Sequence, residues 1–507
     1  MKTRSCVAVV MVFSWGCAGD DPATPECGNG QVDKAVGEIC DDGANNSNEW
    51  SRESHCNATC TGVAPFCGDG TIDVTSGEIC DAGAANGGSA CDAACGITTP
   101  ACDFSVNTGP SLPRPGVHYP PENPHTDEKA ILGKILFWDE QLSSDDSVAC
   151  GTCHRPGAGG SDPRSSTTRH PGPDQILGTA DDPHGSQGIR RCEVDEDGHI
   201  VRLEDPVFGY EPQVTSRRAP SYLDAMYSPS LFWDGRATSQ FVDPDTQEVA
   251  IAAGGALESQ AVGPPLNDAE MACEGRTWAD IHAKLERVTP LALATNIPPD
   301  MQKALCLYPT YPALFEQAFG DAQITTRRIA FAIATHERTL VSEQTPFHRY
   351  VDGDASALTE AEKRALPHLT GTGACVLCHR GMQFSSHDFR NIGFRDPAAD
   401  RGLGALSGDP ADDGKFKTPV LLNVGLREAQ GLLHHGTGVG ADLDSVMNAY
   451  KFPPFPPGEN SNTDPSLPIL LPSQTLDDIA QFMRRALTDP RVASESYPFD
   501  RPTLASE

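Results

Sequence analysis

One pentapeptide pattern occurs twice in this chain. Cys150-Gly151-Thr152-Cys153-His154 is the first copy, and Cys375-Val376-Leu377-Cys378-His379 is the second. Cys-x-x-Cys-His is the spacing that attaches a c-type haem. Two thiols three residues apart reach the two vinyl groups of one porphyrin, and the next histidine then lies under the iron as its proximal ligand. With 18 Cys and 15 His in 507 residues, composition yields about 0.02 such matches by chance. A zinc knuckle or a thioredoxin-like redox pair would use similar thiols, but neither copy has a second ligand pair nearby. Both copies are therefore read as covalent haem sites, with His154 and His379 as iron ligands. This constrains the fold. Haem supplies much of a core by itself, so short helices and long loops around porphyrin suffice.

The remaining composition sets bounds. A chain of 507 residues has room for two or three domains. The formal net charge of -32 excludes non-specific nucleic-acid binding, because phosphate is repelled. Lys2 and Arg4 precede an apolar run from Cys6 to Phe13, which reads as a secretory signal over residues 1–16. Ser14-Trp15-Gly16-Cys17 resembles a bacterial lipoprotein cleavage site, with Ser14 where Leu is usual. Cys17 then becomes a lipid anchor and 17–26 a tether. Export to the periplasm or the outer-membrane surface is expected, and c-type haem is attached on that side of the membrane.

Residues 27–102 carry an internal repeat. Cys27-Gly-Asn-Gly leads to Gly-Glu-Ile-Cys40-Asp, and Cys67-Gly-Asp-Gly leads to Gly-Glu-Ile-Cys80-Asp. Each unit closes with a C-x-x-x-C pair, Cys56/Cys60 and Cys91/Cys95. Four Cys per unit with few apolar residues imply a disulfide scaffold whose connectivity the sequence leaves open. Asp33, Glu38, Asp41 and Asp73 could ligate calcium, though a turn role is preferred. Outside the leader, the haem motifs and the repeats, Cys102, Cys192, Cys273 and Cys306 remain, an even number that suggests one or two further disulfides.

A Pro-rich linker covers 103–125. Thr126 then caps a helix with Asp127 and Glu128 in its first turn and a stripe of Ile131, Leu132, Ile135 and Leu136. A polar Gly/Pro-rich insertion follows the first motif. A second helix is expected over 326–342. A third opens at a capping-box-like Thr475-Leu-Asp-Asp478, carries Ile479, Phe482, Met483, Ala486 and Leu487, and stops at Pro490. Few strand pairs are evident. The fold class expected is mostly α. Two cytochrome c-like haem domains, 126–345 and 346–507, pack together after an N-terminal disulfide-rich repeat segment.

Between the motifs lie Arg217-Arg218-Ala-Pro220, Leu231-Phe232-Trp233-Asp234-Gly235-Arg236 and Leu257-Glu258-Ser-Gln260-Ala-Val-Gly263-Pro264 with Glu270. With Leu132-Gly-Lys-Ile-Leu-Phe137, Glu337-Arg-Thr-Leu-Val-Ser342 and Phe416-Lys-Thr-Pro419, these resemble the bacterial di-haem cytochrome c peroxidase family, which includes the tryptophan-modifying enzyme MauG. The resemblance runs from about 126 to 507.

It implies roles. Trp233 lies between the haems and relays electrons. Glu270 is the acid/base over the open iron of the first haem, with Gln260 and Pro264 lining that pocket. Such a group suits peroxide cleavage, which moves a proton from one oxygen to the other. His170 is a candidate sixth ligand of the first haem. At the second haem the distal ligand falls in His434-His435-Gly436…Tyr450. Peroxidases use Met there and MauG-like members use Tyr. Tyr450 is preferred, with Met447 one turn earlier as the alternative. A phenolate favours ferric iron and a thioether ferrous iron.

Family members also hold a calcium between the domains, using an Asn before the Ala-Pro motif. Arg218 stands there, and Arg427 lies near another ligand position, so calcium is not expected. Three activities remain open. One is hydrogen peroxide reduction, with electrons from a small cytochrome or cupredoxin. The second is MauG-like oxidation of Trp or Tyr in a partner protein. The third is electron transfer without catalysis.

Overall fold

The computed structural model describes residues 27–507 except 77, 79, 87–90, 92–93, 96–101, 103, 105–115, 180, 196, 372–373, 432, 435–441 and 459–461. The signal segment, the tether with Cys17, His435, Gly436 and much of the Pro-rich linker lie outside the described residues. The chain forms two compact units, Met1–Ala101 and Cys102–Glu507.

In the first unit the disulfides nest. Cys27–Cys60 encloses Cys40–Cys56, and Cys67–Cys95 encloses Cys80–Cys91. The aspartate after the second Cys of each repeat gathers the turn. Asp41 accepts the N–H groups of Gly28, Gly30 and Gly43 at 3.0, 3.1 and 2.8 Å, and the Asn46 amide at 2.8 Å. Asp81 does the same for Gly68, Gly70, Gly83 and Asn86. Gly28 and Gly30 sit at φ 100° and 82°, left-handed backbone that side chains disfavour, which explains the repeated Cys-Gly-x-Gly. The candidate calcium acids hold these turns. Glu38 accepts Asp33 N–H at 2.6 Å, and Asp73 accepts the Thr75 hydroxyl at 2.6 Å. Glu38 and Asp41 come within ligand reach of Cys60, whose sulfur is spent in a disulfide.

In the second unit, helix Asp127–Trp138 starts where the Thr126 hydroxyl accepts Lys129 N–H at 3.1 Å. Leu132, Ile135 and Leu136 are fully buried. The helix crosses Thr326–Glu337 closely at Gly133, where an added Cβ would fall 1.8 Å from the Ala332 carbonyl oxygen. The second helix stops at Glu337 rather than Ser342. Thr339 and Leu340 donate back to His336 and Glu337, three residues away, which tightens and ends the last turn. The last long helix also differs from expectation. It begins at Ser473 behind Pro472, so Thr475 lies in its first turn. A proline with φ -58° starts it without a side-chain cap. The helix then widens into a π-turn over Phe482–Ala486.

Four two-stranded antiparallel sheets occur among the described residues. Two lie in the insertion after the first motif: Gln187–Arg190 with Pro212–Val214, and Cys192–Val194 with Ile200–Arg202. Disulfides Cys192–Cys273 and Cys102–Cys306 use the four remaining cysteines. Apolar side chains collect in two large clusters. The first surrounds Leu132–Leu340 and the second Phe347–Leu487. The tail then returns to the first cluster through Val492, Phe499 and Leu504, and Ala505 N–H donates to Glu140 at 2.7 Å.

Candidate functional site

Each pentapeptide opens into its own cavity. Cys150, Cys153 and His154 line one of about 350 Å³. Cys375, Cys378 and His379 line another of about 180 Å³. The four motif cysteines are the ones left as thiols among the described residues. Each histidine is oriented by a main-chain carbonyl. His154 Nδ1 lies 3.3 Å from Gly160 O, and His379 Nδ1 lies 2.8 Å from Phe384 O. A proton held on Nδ1 leaves Nε2 with its lone pair, as a metal-ligating imidazole requires. Burial also pushes both imidazoles below their ordinary value, keeping them neutral. Free paired thiols, an oriented neutral histidine and a cavity therefore fit covalent haem at both places.

The two copies differ in their middle residues. Gly151 lies under the Trp138 ring, where a Cβ would come within 2.2 Å of the indole, and Thr152 is buried with its hydroxyl accepting Ala149 N–H at 2.8 Å. In the second copy Leu377 is 50% exposed. The first motif is sunk in its core, and the second lies at the surface.

The first cavity brings Gln260, Pro264 and Glu270 together with Cys150, Cys153 and His154. Gln260 comes from helix Ala256–Ala261, and Pro264 opens the short turn Pro264–Leu266. Glu270 sits on a loop fixed at both ends. Its N–H donates to Asn267 O at 3.1 Å, and its carbonyl accepts Ile189 N–H at 3.2 Å. Gly188 packs so tightly there that a Cβ would lie 2.0 Å from Ala269 O. The Cys192–Cys273 disulfide staples the start of the next strand to the chain just after the same loop. Burial raises the Glu270 carboxyl above its ordinary value, opposed by Arg236. Arg236 lines this cavity too, stacked 3.5 Å from the Phe232 ring centroid. His170 also lines it.

Trp233 borders both cavities. Its Nε1 donates to Arg218 O at 2.8 Å, and its carbonyl accepts Lys417 N–H at 2.8 Å. In the second cavity Tyr450 and Met447 both line the wall, from helix Leu443–Lys451. The Tyr450 ring lies 5.0 Å from Phe394 and 6.4 Å from His434. Burial pushes its phenol up, and the neighbouring Cys378 and Cys375 add to this.

Two residues of this site had no assigned role in the sequence. Glu337 lines the first cavity, is 3% exposed, and has a buried Oε2 without a hydrogen-bond partner. Burial pushes it up to about 8, with Arg338 opposing. Arg338, its neighbour, is spent on Glu258 at 2.6 and 2.9 Å. Lys417 lines both cavities, and burial brings it down to about 8. Both stand in the motifs quoted above. Their chemistry becomes visible only when the fold buries them.

Known proteins resemble this arrangement. Residues 127–356 match the family model for di-haem cytochrome c peroxidase. The chain is 30% identical over 334 residues to the methylamine utilization protein MauG of Methylophilus methylotrophus, covering 66% of this chain and 75% of that protein. It is 28% identical over 434 residues to the cytochrome-c peroxidase IdrP1 of Pseudomonas sp. (strain SCT), covering 78% of this chain and 89% of the relative. A crystal structure of a MauG-like protein associated with microbial copper homeostasis superposes with a TM-score of 0.52 at 23% identity, covering 77% of this chain and 98% of that chain, and so shares the fold. Two haem-attachment motifs in two cavities, joined by these alignments, place the chain in the di-haem cytochrome c peroxidase family of oxidoreductases, to which MauG also belongs.

Proposed function

We propose that the chain reduces hydrogen peroxide to water in the first cavity, with electrons entering at the second. The observation that carries this reading is the position of Trp233, which borders both cavities while Glu270 lines only the first. Covalent haem, held by Cys150, Cys153 and His154 and by Cys375, Cys378 and His379, would supply the iron redox chemistry. The chain's own residues do the rest. Glu270 takes a proton from one peroxide oxygen and delivers it to the oxygen that leaves as water. Its raised pKa suits a group that must both accept and donate. Gln260 and Pro264 shape the space above His154, and His170 is available on the cavity wall. Trp233, fixed through its Nε1, offers an aromatic bridge for electrons. Exposed Leu377 within the second motif suits the approach of an external donor such as a small cytochrome or cupredoxin. Export to the periplasm, with Cys17 as a lipid anchor, belongs to the same reading.

One observation favours a second reading. Tyr450 lines the second cavity beside Cys375 and Cys378, where a phenol ligand would mark a MauG-like enzyme that oxidises Trp or Tyr of a partner protein. Steady-state peroxide consumption with a reduced small cytochrome separates the two. Rapid turnover supports the peroxidase, while its absence in a protein carrying two intact haems refutes it. Tyr450→Phe should alter the second haem's spectrum. If only Met447→Leu does so, Met447 is the ligand.

A further inference from the structure

The family resemblance brings an expected calcium between the two haem-bearing halves, and the residues present do not fit one. Arg218, at the position of the family's Asn ligand, is 2% exposed, and Arg427 is 8% exposed. Their reach is reciprocal. Arg218 starts in the first half and donates to Leu433 O at 3.3 Å and His434 O at 3.2 Å in the second. Arg427 starts in the second half and donates to Gly159 O at 3.0 Å in the first, and to Leu422 O at 3.2 Å and Val420 O at 2.8 Å in its own. Calcium needs several oxygen lone pairs around it. Here five main-chain carbonyls point at guanidinium N–H groups, which offer no lone pair and repel a cation.

We propose that Arg218 and Arg427 take the place of that ion, tying the wall between the cavities with side-chain cations and freeing this chain from calcium there. The substitution reaches further than the junction. The Arg218 main-chain oxygen holds Trp233 Nε1, while its side chain holds the loop whose His434 faces Phe394 and Tyr450. Arg218 is therefore a positioning residue for both the bridge and the distal side of the second cavity. Only its effect on Trp233 rests on the relay reading. The guanidinium forks suit this task, since each spreads several N–H donors in one plane and keeps its charge when buried. Asp162 and Asp224 are the carboxylates whose charge reaches the two guanidiniums, and each has another partner: Asp162 pairs with Arg164, and Asp224 accepts Ser342 N–H at 2.9 Å.

The test uses the full-length holoprotein, with haem spectra and midpoint potentials as readouts besides peroxide turnover. Chelation with EDTA followed by calcium addition should leave both spectra and both potentials in place, and change turnover by less than about twofold. Calcium uptake that leaves the haems undisturbed belongs to acidic surface loops and agrees with the proposal. A chelator-induced shift of the second haem, reversed by calcium, would overturn it. Arg218→Asn removes the cation and restores an oxygen ligand, so it should make the second-haem spectrum respond to calcium. Arg218→Lys should not. An Asn variant that folds, shifts nothing and ignores calcium would also sink the proposal. If that variant does not fold, the wild-type chelation result decides alone. Loss of peroxide turnover in all proteins, with spectra behaving as described, would count against the peroxidase reading and not against this one.

Discussion

Gly188→Ala is a small change that should strike the chemistry through geometry alone. The new Cβ would stand 2.0 Å from Ala269 O and 2.8 Å from the Glu270 Cα. Ordinary carbon–oxygen contact needs about 3.3 Å, so the loop must withdraw by roughly 1.3 Å. A displacement of that size costs on the order of 10²-fold when it moves a catalytic group, or about 2.7 kcal/mol. Glu270→Gln removes the proposed proton carrier itself and should slow reaction by roughly 10²–10⁴-fold. The assay is stopped-flow haem absorbance on mixing with hydrogen peroxide, with circular dichroism confirming the fold. If Gly188 acts through Glu270, the double variant reacts no more slowly than Glu270→Gln alone. Two effects that multiply would mean that Gly188 acts elsewhere. Wild-type kinetics in a folded Gly188→Ala protein would remove the tight loop from the mechanism.

The peroxide reaction should speed up with rising pH through a titration above the ordinary glutamate value, because burial raises Glu270 and the carboxylate is the form that accepts the proton; a flat profile in Glu270→Gln checks the assignment. Trp233→Phe keeps a ring but loses the bond to Arg218 O, leaving a carbonyl short of a donor at a cost of about 1–3 kcal/mol, and should slow transfer between the haems in flash or rapid-mixing experiments. Burial raises Glu337 to about 8, so its contribution to stability is fully present below the ordinary glutamate range and lost as pH rises towards 8. Glu337→Gln should therefore flatten the Tm-versus-pH curve over that window and melt higher than wild type at pH 8. Thr126→Ala removes the helix cap and should cost about 1 kcal/mol in denaturant unfolding, with little effect on haem spectra.

Local signals read well wherever the chemistry is itself local. Thr126 caps as its hydroxyl dictates, the buried stripe of Ile479, Phe482, Met483, Ala486 and Leu487 follows helical spacing, and the four motif thiols stay out of the disulfides. Misplaced boundaries had backbone causes. Pro472 starts a helix without a polar cap, and Thr339 closes one with a three-residue hydrogen bond, neither of which interrupts a hydrophobic pattern. The strand segments at 187–190 and 192–194 were hidden because they are short, and their pairing with 212–214 and 200–202 depends on a loop's return path. Buried charge was the least legible feature. Nothing local distinguishes Glu337 or Lys417 from a solvated acid or base, because their altered titration comes from burial, which only the packed fold supplies.

The wall shared by the two cavities bears on how electrons pass between them. Its described residues are Arg218, Ala219, Pro220, Ser221, Ala225, Phe232, Trp233 and Lys417, with two basic side chains and no carboxylate. Both activities bring electrons inward through this wall, from a reduced donor in one and from a Trp or Tyr of a partner protein in the other, and a relay that hops through Trp233 places a positive hole on its ring. Adjacent cations raise the energy of such a hole, and the weak screening of a buried site strengthens that opposition. The wall charges therefore govern how readily Trp233 relays electrons in either activity, and Tyr450 is the feature that speaks for the alternative. Lys417→Met tests the argument, because the second motif and Tyr450 stay unchanged. Removing the charge should ease oxidation of Trp233 and speed electron transfer between the haems. Slower transfer, or no change in either, would show that the wall charges do not govern the relay.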